Sequence, residues 1–81
     1  MEEKWSVYML RCGDGSLYTG VAKDVQERLK MHQSGKGAKY TRGRGPLELV
    51  YAETCECKSD ALKREIFIKA LSREEKLKLI K

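Results

Sequence analysis

Four side chains near the start of the chain have types and spacing suited to chemistry on a phosphodiester. Tyr8 and Tyr18 stand on either side of a glycine-rich turn, and Arg28 and His32 follow in the next segment. Two phenols, a guanidinium and an imidazole are what a site that cleaves such a bond needs. The imidazole can act as acid, base or phosphate ligand. Each residue also has a plainer use. Tyr8 suits a half-buried strand position, Arg28 a helix surface where it pairs with Glu27 or Asp24, and His32 the edge of a core.

The elements that must position these residues are a hairpin and a helix. Residues 5–11 alternate as a strand, with Trp5, Val7 and Met9 on one face and Ser6, Tyr8 and Leu10 on the other. Gly13-Asp14-Gly15 forms the turn, and residues 17–21 form the returning strand. A three-residue loop sets Cys12 opposite Ser16, Leu10 opposite Tyr18 and Tyr8 opposite Gly20, so the two tyrosines share a face. A two-residue loop would split them and mix polar with apolar residues on both faces. The pattern therefore favours the longer loop, with Trp5, Val7, Met9, Leu17, Thr19 and Val21 as the expected core face. Gly20 allows close backbone approach or marks a strand irregularity. Asp24 reads as an N-cap, with Glu27 completing the box, for a helix over 25–33. Val25, Leu29 and His32 share its inner side, and Arg28 borders that stripe one turn before His32.

Residues 33–46 hold Lys36, Lys39, Arg42 and Arg44 with Tyr40, several glycines and no acid. The segment reads either as a mobile surface loop or as one that contacts phosphates through cations and exposed amides. A third strand is expected over 47–55, with Pro46 at its start. Ser59 is the expected cap of a second helix over 60–71. Its apolar residues, Ala61, Leu62, Ile66, Phe67, Ile68, Ala70 and Leu71, predict the most buried helix, with Glu65 and Lys69 as its polar stripe. A carboxylate at Glu65 is costly there unless paired, and Lys69 lies at the right spacing to pair with it. Ser72 and Glu75 form a capping box for a third helix over 73–80.

The 81 residues make one small domain, 1–81. Seventeen Lys and Arg against twelve Asp and Glu give a net charge of +5. That charge suits solubility or an anionic partner such as nucleic acid. Three cysteines, Cys12, Cys55 and Cys57, argue against a secreted disulfide framework. The C-x-C spacing argues against structural zinc, which leaves them as strand-end thiols. No leader and no membrane-length apolar run is present, so a cytoplasmic location and no membrane partner are expected.

The motifs Val7-Tyr8 and Tyr18-Thr19-Gly20, followed by Arg28 in a capped helix and Glu65 in a later one, resemble the GIY-YIG endonuclease superfamily over nearly the whole chain. The likeness is greatest to its small single-domain bacterial members. Ser-Val-Tyr stands here for Gly-Ile-Tyr, and Tyr-Thr-Gly for Tyr-Ile-Gly. The resemblance implies an α+β fold, a three-stranded antiparallel sheet of the N-terminal hairpin plus a third strand, flanked by about three helices. It implies a metal-dependent endonuclease that hydrolyses DNA by in-line attack of water. In that reading Tyr8 orients or deprotonates the water and Tyr18 helps position it. Arg28 holds the scissile phosphate, and Glu65 binds Mg²⁺ or Mn²⁺. His32 fits an Arg-x₃-His arrangement found in some members. A free tyrosine is a poor base at neutral pH, and Arg11 and Arg28 are expected to lower the Tyr8 pKa. Arg11, Lys36, Lys39, Tyr40, Arg42 and Arg44 are the expected nucleic-acid contacts. The chain has no asparagine to match the one some members carry beyond the metal-binding Glu. It also has no separate DNA-binding domain, so a partner protein that supplies specificity is a corresponding expectation. The alternative is a catalytically inactive nucleic-acid-binding module of the same fold.

Overall fold

In the computed structural model, which describes residues 4–37, 41 and 43–80, the hairpin closes through the three-residue loop. The Cys12 amide donates to the Ser16 carbonyl at 2.9 Å, and Gly15 takes a left-handed φ of 87° that a side chain would strain. Asp14 accepts from the Ser16 amide at 3.0 Å and from its hydroxyl at 2.6 Å, which fixes the turn. Strand β1 (Trp5–Arg11) pairs antiparallel with β2 (Leu17–Ala22), with Tyr8 opposite Gly20 and Leu10 opposite Tyr18. The expected register is the observed one.

Helix α1 (Val25–Gln33) follows, its first turn capped by Asp24, which accepts from the Glu27 amide at 3.1 Å. Strand β3 (Glu48–Cys55) then joins the other edge of β1, giving the antiparallel order β2-β1-β3. Its pairing shifts between Met9 and Leu10, which face Tyr51 and Leu49, so Val50 is the extra residue of a bulge. Helices α2 (Lys58–Lys69) and α3 (Arg73–Ile80) complete the chain. The box before α3 forms in both directions, Ser72 amide to Glu75 at 3.0 Å and Glu75 amide to the Ser72 hydroxyl at 3.2 Å.

Two expectations need correction. The tyrosine face of the sheet, expected to lie opposite the core face, is half of the interior. Tyr8, Leu10, Cys12, Ala22 and Leu47 form one buried cluster, with Val25 and Leu29 of α1 packed on it. Val7 and Met9 form a second with Ala61 and Ile68 of α2, flanked by Leu79 and Ile80 of α3. As the middle strand, β1 is covered on both sides, and Val7, Tyr8, Met9 and Leu10 are buried in succession. Nor is α2 enveloped. It starts at Lys58 behind Cys57, which makes no side-chain cap bond, rather than at a Ser59 cap. Only Ala61 and Ile68 are buried, while Leu62, Ile66 and Phe67 are 38%, 67% and 52% exposed. One face of a three-stranded sheet covers a single stripe of a helix, and α3 shares that face.

The three cysteines are free thiols. Among the described residues, no helix is long and apolar enough to cross a membrane.

Candidate functional site

The site is built on the hairpin pair of Tyr8 and Gly20. Opposite Tyr8, Gly20 leaves a gap that the phenols fill: a Cβ there would lie 2.8 Å from Tyr8 Oη and 3.1 Å from Tyr18 Cε2. The two rings therefore tilt together with centroids 6.3 Å apart. Helix α1 brings His32 against both, 6.0 Å from the Tyr8 ring and edge-on to Tyr18 at 5.2 Å. Tyr8 Oη and His32 Nε2 are hydrogen-bonded at 2.8 Å, and His32 Nδ1 and Thr41 Oγ1 at 2.9 Å. Tyr8, His32 and Thr41 are all buried. A Cβ on Gly37 would collide with the imidazole at Nδ1, so the chain after α1 closes over the ring only because that residue is glycine.

Thr41 is the member of this chain of hydrogen bonds that the sequence did not reveal. A threonine beyond a glycine-rich stretch carries no pattern. The only available signal was that a buried histidine needs partners for both ring nitrogens.

Burial sets the protonation states. The Tyr8 hydroxyl is pushed well above the usual phenol range, first by burial and then by Tyr18. Arg28 pulls it down by less, and Glu65 and the Tyr18 hydrogen bond add to the rise. This reverses the expectation that cations would favour the phenolate. Arg11 is not among the groups acting on Tyr8; it alternates onto the Val7–Met9 face and meets Glu48 at 3.9 Å. The His32 pKa is lowered, again by burial first and by Arg28 second. At neutral pH the Tyr8–His32 pair is therefore uncharged.

Arg28 is half-buried and close enough to act on both groups, yet no carboxylate lies within ion-pair distance of it among the described residues. The plain alternative of pairing with Glu27 or Asp24 is not what the structure has. Glu65 sits between Ala61 and Ile68 on the inner stripe of α2, with its side chain 18% exposed. Lys69 Nζ reaches it at 3.5 Å, so the expected helix pair forms, while the carboxylate still lies near enough to act on Tyr8. Among the described residues, no three His, Cys, Asp or Glu converge as metal ligands. One recessed carboxylate suits a hard cation that keeps most of its waters, such as Mg²⁺ or Mn²⁺. It does not suit a metal caged by protein.

The expected nucleic-acid contacts divide. Lys36 is exposed beyond α1. Arg44 is committed to the hairpin turn, with Nη1 2.5 Å from Asp14, whose pKa falls to about 2 through Ser16 and then this guanidinium. Lys39, Tyr40 and Arg42 lie outside the described residues.

Comparison with known proteins bears on the family and the fold. A profile of the GIY-YIG catalytic domain matches residues 4–78. A UPF0213 protein of Staphylococcus epidermidis is 59% identical over 78 residues, covering 96% of this chain and 95% of the relative. The solution NMR structure of the UPF0213 protein BH0048 from Bacillus halodurans superposes with a TM-score of 0.61. It is 51% identical, with 95% of this chain and 82% of that one covered. The solution NMR structure of the E. faecalis protein EF2693 gives a TM-score of 0.62 at 40% identity, covering 94% and 83%.

Proposed function

The chain belongs to the GIY-YIG family, a family of nucleases, and we propose that it is a divalent-metal-dependent endonuclease that hydrolyses DNA by in-line attack of water. The observation that supports this most is the meeting of a buried, neutral Tyr8–His32 pair with a half-buried guanidinium that has no carboxylate partner among the described residues. A phosphodiester supplies the missing anion. The resulting bidentate hydrogen bonds are stronger than neutral ones, and they strengthen further as charge builds on the phosphoryl oxygens.

Tyr8 is too weak an acid to act as a free phenolate, so it works as a relay. Thr41 Oγ1 accepts from His32 Nδ1–H and leaves Nε2 as an acceptor for the Tyr8 hydroxyl. As water attacks phosphorus, Tyr8 Oη takes its proton and passes its own to Nε2. The imidazole is suited to receive it because it is neutral beforehand. Tyr18 packs on the same ring edge and positions the water. Glu65 would hold the divalent metal ion, which would supply Lewis-acid stabilisation of developing negative charge. The exposed Lys36, with Lys39 and Arg42, carries the flanking backbone by charge alone.

The test is cleavage of labelled single-stranded, branched and duplex DNA by the purified protein, with Mg²⁺, with Mn²⁺ and with chelator, beside Glu65→Gln. Metal-dependent cleavage that disappears in a variant with an unchanged melting curve is expected. Binding without turnover under either metal would replace the nuclease by a binding module of the same fold.

A further inference from the structure

Beside Arg28 lies a hollow that the proposed reaction does not use. It has a volume of about 240 Å³ and runs along the outer edge of α1 from Trp5 and Ala22 to Met31, with Lys23 and Arg28 on its walls. That is below the ~300–1,000 Å³ of a drug-sized site, and it leaves room for one flat ring system. The walls are apolar where a ring would lie. Trp5 is half-buried at the start of β1, packed on the Val7–Met9 cluster, and Met31 is 38% exposed. The rim is charged. Lys23 and Lys58 place their ammonium groups 5.5 and 5.0 Å from the indole centroid.

We propose that this hollow is a nucleobase subsite. It takes the unpaired base of a nucleotide next to the phosphate on Arg28, so the substrate class is nucleic acid with a single-stranded stretch at the cleavage point. The inference rests on the nuclease reading for Arg28, but the arrangement of the hollow is its own. An aromatic ring with lysine ammonium groups close by is the combination that binds single strands: the base stacks on the indole and the cations meet the neighbouring phosphates. Exposed lysine side chains exchange rotamers within nanoseconds, so a base can take one face of the ring. Asp24 and Glu27 place negative charge on the remaining rim. Asp24 is occupied as the α1 cap, and both carboxylates disfavour a phosphate in the hollow, which directs the base inward and the backbone toward Lys23 and Arg28. A paired base cannot enter, because its faces are covered by its neighbours in the stack.

Trp5 is the sole tryptophan of the chain, so its emission reports this hollow alone. The experiment titrates the intact protein, in chelator and at low salt, with oligo(dT) and with a blunt duplex of equal length. Tryptophan emission and the anisotropy of a dye on the DNA are read in parallel. Saturable quenching by oligo(dT), with duplex binding that leaves emission unchanged, is expected. Met31→Gln should weaken oligo(dT) binding severalfold and leave duplex binding as it was. If oligo(dT) binds without quenching, or the duplex quenches equally, the subsite is wrong and the nuclease reading stands. Failure of both DNAs to bind would overturn both.

Discussion

Two tyrosine–arginine clusters lie on opposite faces of the sheet, one closed by a carboxylate on its arginine and one left open in that sense alone, its arginine without a carboxylate among the described residues. On the α2 face, Tyr51 donates to Glu53 at 2.6 Å and Arg64 donates to the same oxygen at 3.0 Å. The guanidinium also lies 5.0 Å from the Phe67 ring centroid. On the α1 face, Tyr8 is bonded to His32, and Arg28 has no carboxylate within ion-pair distance among the described residues. Both phenols are pushed up in pKa, chiefly by burial. A perturbed tyrosine therefore does not tell a site from a strut. The distinction lies in the cation. Glu53 pairs with Arg64 and closes its circuit, whereas the half-buried Arg28 leaves a charge that a ligand arriving with negative charge can pair.

The sharpest way to break this comparison is to remove each arginine. Arg28→Ala should lower the cleavage rate by roughly 10²–10³, the scale seen when one preorganised charge-stabilising donor is lost, with no loss of thermal stability. Arg64→Ala should leave the rate within about twofold and cost no more than ~1 kcal/mol, as an ion pair open to solvent does. Single-turnover rates and melting curves of both variants decide the point. Equal rate losses would put the two clusters on the same footing.

Thr41→Val tests whether the open cluster depends on a fixed imidazole. It strands His32 Nδ1 in the interior at a cost of about 1–3 kcal/mol, and we expect about a tenfold rate loss that Thr41→Ser restores. The informative readout is the tautomer of His32 by long-range nitrogen-15 NMR, which should become mixed in the valine variant. A purely structural threonine would lower stability and leave the tautomer unchanged.

The two faces should also respond differently to acid. His32 has a folded pKa below its ordinary 6.5. Between the two values the unfolded chain binds a proton that the folded one does not, so stability rises with pH there. Wild-type protein should lose stability as pH falls through 6.5 and level off below the folded pKa. His32→Gln should remove that slope, and Glu53→Gln should leave it in place. Denaturant midpoints measured from pH 5 to 8 give the comparison.

The hairpin register was legible because a loop of fixed length and a period of two leave one solution, and the caps at Asp24 and Ser72 were legible because they are local. What lay beyond the sequence were long-range effects. Val7-Tyr8-Met9-Leu10 is an unbroken apolar run of the kind that marks a strand buried on both faces, yet alternation around it suggested one core. The exposed Leu62, Ile66 and Phe67 follow from how little area three strands can cover, which residue types do not record. The direction of the Tyr8 shift depended on burial outweighing Arg28, a balance set only in the folded state. Thr41 joined the site through a glycine-rich connection whose path no propensity specifies.

The smallest expected effect comes from the closed face. Thr19 lies between Tyr18 and Gly20 in sequence but points to the α2 side, where its buried hydroxyl has no hydrogen-bond partner among the described residues. Thr19→Val keeps the shape and removes the unsatisfied group. It should stabilise the fold by about 1 kcal/mol, or roughly 4–8 °C in a domain of this size. Cleavage should not change, because the side chain shares no face with the phenols beside it. A loss of stability would show that the hydroxyl is solvated along the edge strand β2. A change in rate would show that the faces of the sheet are coupled, and the division between an open and a closed cluster would then have to be given up.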